Sequence, residues 1–106
     1  MAAKEASAAA ERSGEQRFSA LYESAALAVI AGDLRRAEAK LRAATDAAPN
    51  WYRAHEMLAQ VLWLGGHNPE AEREAALALE CAGSQESKVR IALQEARVQG
   101  GAIRSQ

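Results

Sequence analysis

The chain has 106 residues, enough for one small domain. Its net charge of −1 excludes a general attraction to nucleic acid or to anionic membranes, and no apolar run approaches the length of a membrane span. Hydrophobic residues make up 49 % of the sequence, but many are alanine and only Phe18, Tyr22, Trp51, Tyr52 and Trp63 are aromatic, so the expected core is tightly packed and small.

Residues 1–16 hold no large apolar side chain and read as a frayed helix or a flexible segment. They also lack the apolar centre of a signal peptide. A first helix is predicted over 17–31, where Phe18, Leu21, Ala25, Ala28 and Val29 keep helical spacing. Gly32 stops it, and Asp33 caps a second helix that runs to Ala47, before Pro49. Asn50 is the expected cap of a third helix, Trp51 to Leu64, ended by Gly65-Gly66. Asn68 then caps a fourth, with Pro69 at its first position and Gly83 as its stop. Ser84 caps a fifth, about 85–99, and Gly100-Gly101 closes it before a tail, 100–106. No segment alternates with period two, and the loops are short enough to join only antiparallel helices.

A shift of 34 residues brings small residues onto small residues. Ala25 meets Ala59, Gly32 meets Gly66, Ala37 meets Ala71 and Ala44 meets Ala78. A plain alanine-rich bundle would show no such register. A two-helix unit of this period resembles the tetratricopeptide repeat (TPR). Its pattern falls on Leu21, Ser24-Ala25, Ala28, Ala37, Leu41 and Pro49 in the first copy. In the second it falls on His55, Leu58-Ala59, Leu62, Ala71, Ala75 and Gly83. Ala28 and Leu62 stand where the family has tyrosine, and Gly83 where it has a second proline. The expected fold is therefore all-α, an antiparallel TPR-like superhelix of about five helices. Repeat one covers 18–51, repeat two 52–85 and a capping helix 86–99. In that capping helix Leu93 replaces the small residue of the pattern, with Val89, Ala92 and Ala96 beside it on the buried side.

Catalytic chemistry finds no support. His55 and His67 are the only histidines, have no carboxylate placed beside them by sequence, and lack metal-binding spacing. Cys81 is alone, so no intrachain disulfide forms and a reducing, cytoplasmic compartment fits. The turn after Leu64 lacks the lysine and the spacing of a phosphate loop. The resemblance implies instead a non-enzymatic protein–protein interaction module, with no cofactor or metal, in which the first helices of successive repeats line a concave groove. Carried onto this sequence, that groove shows Tyr22, Arg53, Glu56, Gln60, Trp63, Arg90, Gln94 and Arg97, with Ser19, Ala26 and Val29 at its start. Trp63 is either an apolar anchor there or packed between helices. The arginines either meet a ligand or pair with the acidic fourth helix. The carboxylate clamp of heat-shock co-chaperones is not expected, because Tyr22, Ala26, Met57, Ser87 and Ile91 occupy its positions. The implied partner is another protein's peptide or amphipathic helix, as for an adaptor or a small secretion-type chaperone, or a further copy in a self-assembling module. Two repeats are fewer than usually suffice for stability, which favours help from a partner.

Overall fold

The structure, a computed structural model, describes residues 18–105. The expectation of a frayed or flexible segment over 1–16 lies outside them. Five helices follow one another: α1 over 18–30, α2 over Leu34–Ala47, α3 over Tyr52–Leu64, α4 over Asn68–Cys81 and α5 over Glu86–Ser105. A 3-10 turn, Gly83–Gln85, leads into α5. No strand occurs among the described residues, and the chain there is all-α.

The 34-residue period is visible in the backbone hydrogen bonds. At the end of α1, the Gly32 N–H donates to the Val29 carbonyl (3.0 Å) and the Asp33 N–H to that of Ala28 (2.8 Å). At the end of α3, Gly66 donates to Trp63 (3.1 Å) and His67 to Leu62 (2.8 Å). Each pair satisfies carbonyls that a helix end would otherwise leave open, and it requires a left-handed residue. Gly32 and Gly66 supply it, at φ of 80° and 85°.

This closure also decides the caps. Asp33 and His67 each finish one helix and precede the next, so no residue is left over to cap. Asp33 does both jobs, its carboxylate accepting from the Arg36 N–H at 3.1 Å. His67 makes no side-chain cap bond, and Asn68 is already helical instead of being the cap expected of it. Asn50 likewise lies one residue too early. A turn from the Trp51 N–H to the Ala48 carbonyl (3.1 Å) puts Trp51 at the head of α3, without a side-chain cap. Ser84 sits inside the 3-10 turn and not at a helix cap.

Helix α3 is the hub, packing against α2, α4 and α5. Ala25, Ala37, Ala59 and Ala71 are fully buried, which allows close helix crossings. Leu41, Leu58 and Leu62 are the largest fully buried side chains, and alanines make up much of the rest of the interior. Val89, Leu93 and Ala96 are buried on α5 and Ala92 is half-buried, the face expected of a capping helix.

The expected stop at Gly100-Gly101 is not one. Helix α5 continues to Ser105, so 100–105 is not a tail. Gly100 is buried against α3, where a Cβ would lie 2.9 Å from Trp63 Cβ and 3.1 Å from its carbonyl carbon. Glycine is present because two helices meet backbone to side chain there. That contact overrides its poor helix propensity, which costs roughly 1 kcal/mol.

Candidate functional site

The eight groove residues do not share one surface. Trp63 divides them, and it is only 3 % exposed. Gly100 packs on it from α5, and the Arg97 guanidinium stacks over its ring at 4.8 Å. Trp63 is therefore a core residue and not an exposed anchor. α5 runs far enough to cover it, which the early stop expected at Gly100 did not allow for.

Arg97 is held from three sides. It donates to both carboxylate oxygens of Glu72 at 2.8 Å, and to the Gln94 side-chain oxygen at 2.6 Å. A two-pronged pair of this kind is planar and directional. Arg97 holds the Glu72 carboxyl below its ordinary range, with a smaller contribution from the Trp63 side chain. The attraction between the acidic fourth helix and the basic fifth is thus realised at this pair. Arg90, in contrast, pairs with Glu86 one turn earlier, at 2.7 Å and well exposed, which adds little stability.

Tyr22, Arg53, Glu56 and Gln60 form the other group, on α1 and α3. Tyr22 and Phe18 both pack on Trp51, with ring centroids 5.5 Å apart. This aromatic cluster joins the start of α1 to the start of α3, a contact between residues some 30 apart that no local spacing signals. Burial raises the Glu56 carboxyl above its ordinary value, and the Arg53 charge opposes this. Burial likewise raises the Tyr22 hydroxyl, against the pull of Arg53. Gln60 borders a shallow depression of about 150 Å³ with Val29, Met57, Leu64 and Gln99.

A larger groove, about 540 Å³, opens between α4 and α5. Ala75, Leu79, Leu93 and Ile91 give it an apolar lining, while Arg90, Gln94, Glu95 and Arg97 add polar groups. Ile91 is 62 % exposed, and Val98, one heptad further along α5, is 61 % exposed. The sequence held this signal, because Ile91 and Val98 recur seven apart on one helix face. Arg90, Gln94 and Arg97 line this groove, and Arg53 and Gln60 are not among its lining residues.

His55 is buried and fully occupied. Its Nε2 lies 2.7 Å from the Pro49 carbonyl, which can only accept, so Nε2 carries a proton. Its Nδ1 lies 2.7 Å from the Glu74 carboxylate. The Glu74 bond, aided by Pro49, raises the His55 pKa above 6.5 despite its burial. The two contacts tie α3 to α4 and to the loop before α3, and the shift favours the protonated ring, which can donate on both sides. Cys81 adds a longer contact to the same carbonyl, 3.7 Å from Sγ. No group of three metal-ligating side chains occurs among the described residues.

Comparison with known proteins adds no likeness: no protein-family model, no curated protein and no solved structure matches this chain.

Proposed function

We propose that this chain is a TPR-like, non-enzymatic protein–protein interaction module that receives an amphipathic helix in the groove between α4 and α5. The groove itself carries the reading: an apolar lining with Ile91 and Val98 left exposed beside it and polar groups around it. Soluble proteins leave contiguous apolar surface open mainly where something docks. A helix with apolar residues at spacings of three and four would bury both side chains and reach Arg90 and Glu95 with polar ones.

The 34-residue repetition of helix-end hydrogen bonds supports the TPR-like register. The commitment of both His55 nitrogens to intrachain bonds supports a role without catalysis. No helix among the described residues is long and apolar enough to cross a membrane. A cytoplasmic setting is part of the proposal and rests on the lone Cys81.

Photo-crosslinking tests the reading. A benzophenone-bearing residue in place of Ile91 should give a defined protein adduct, and the same residue in place of exposed Arg35 on α2 should not. Equal yields at the two positions would overturn the groove as the docking site.

A further inference from the structure

We propose that the helix received beside the α4–α5 groove is α5 of a second copy of this chain, the two α5 helices lying antiparallel about a two-fold axis near Ala92. This rests on the groove being a docking site, as argued above, and names its occupant.

Helix α5 is apolar on two opposite faces. Val89, Leu93, Ala96 and Gly100 are buried on one side of it. Ile91, Val98 and Ala102 fall on the opposite side and are exposed. A surface helix carries one apolar stripe, and a helix apolar on both sides is covered from both. Among the described residues, only the first face of α5 is covered. Ile91 and Val98 are seven residues apart, the repeat of a seam between two paired helices. Gln94 falls at the seam position between them, and its side-chain oxygen already accepts from Arg97. A polar seam residue fixes register at some cost in stability.

The charges identify the occupant. Lys88 and Glu95, also seven apart, flank this stripe along one edge. Both are exposed, and neither makes an ion pair among the described residues. Laid antiparallel, two copies of α5 bring Lys88 of each beside Glu95 of the other, and Ile91 of each beside Gln94 of the other. The opposite edge carries Arg90 and Arg97, which then face one another across the pair. Their charges are already offset within each chain, by Glu86 and Glu72. A parallel pair would leave Lys88 opposite no acid and would draw on Arg90, which Glu86 holds. The same patch serves both copies, so the contact is isologous and closes at two.

Light scattering of the full chain over a dilution series is the test, with helical content checked by circular dichroism. The wild type should rise to twice the 11.3 kDa chain mass and stop there. Ile91→Asp, at an exposed site, should stay monomeric with its helical content unchanged. Lys88→Glu and Glu95→Lys should each weaken the dimer by about tenfold, because the symmetry turns two attractive contacts into two repulsive ones. Mixed in equal amounts, these two variants should recover the wild-type affinity as a heterodimer. The double variant Lys88→Glu with Glu95→Lys should recover it alone. A wild type that is monomeric at every concentration would overturn the proposal. So would growth past a dimer, an Ile91→Asp variant that still dimerises, or charge reversals that do not rescue one another. A monomeric wild type whose position 91 crosslinks to a different protein would sink this inference and leave the proposed function standing. Equal crosslinking from positions 91 and 35 would remove both.

Discussion

Repeat one and repeat two share a backbone plan and differ in what locks it. In repeat two, His55 bridges Pro49 and Glu74, and Trp63 lies under Arg97, which Glu72 holds. The corresponding residues of repeat one are Leu21 and Lys40 for the first lock, and Val29 for Trp63. Repeat one has the better cap, Asp33, where repeat two has His67. Their flanks differ as well. Repeat two lies between α2 and α5, whereas α1 turns Leu27 and Ile30 to solvent. The lesson is that small residues at a fixed period set the scaffold, while neighbours and a few polar bridges set local stability. Such a division of labour is what a quasi-one-dimensional array would show.

Converting one repeat into the other tests this. The largest expected effect is at Leu62, fully buried, whose counterpart is Ala28. Leu62→Ala should destabilise by about 2–5 kcal/mol in urea unfolding. A loss below about 0.5 kcal/mol would mean that the interior does not depend on its few leucines.

The His55 bridge comes next. Its pKa is raised in the folded chain, so its contribution is complete below about pH 6.5 and is lost as pH rises through the folded value. Glu70 and Glu72, held low by Arg42 and Arg97, lose their contributions only in acid and leave this window clear. The urea midpoint should therefore fall as pH is raised from about 6 to about 9. His55→Leu, which copies Leu21, should remove that slope and lower stability near neutrality, because Glu74 loses its partner. A wild-type midpoint that rises with pH would contradict the assignment. The smallest effect is a gain. His67→Asp copies Asp33 and should stabilise by about 0.5–1 kcal/mol, read as a higher melting temperature.

Much of the scaffold was legible because it depends on local chemistry at a fixed period. Gly32, Gly66 and Asp33 act as expected, and the crossing alanines are buried. Leu93 is buried where the pattern wants a small residue. Gly100 was misread because the same residue that ends helices also permits a close crossing, and only its place against Trp63 separates the two. Asn50 and Asn68 are good caps by composition, but closures one residue away took the helix starts. The site was less legible. His55 and Glu74 lie 19 residues apart on separate helices, a pairing that no local spacing announces. The eight proposed groove residues assumed that successive first helices present matching faces. Trp63 is buried under Gly100 and Arg97 of α5, and Arg90, Gln94 and Arg97 line the groove that α5 forms with α4.

The most direct measurement is the crosslinking yield from two positions compared, Ile91 in the α4–α5 groove and Arg53 on the α1–α3 face. A protein adduct concentrated at Ile91, with little from Arg53, is the result this account predicts. An adduct concentrated at Arg53 would contradict it and restore the concave face as the site.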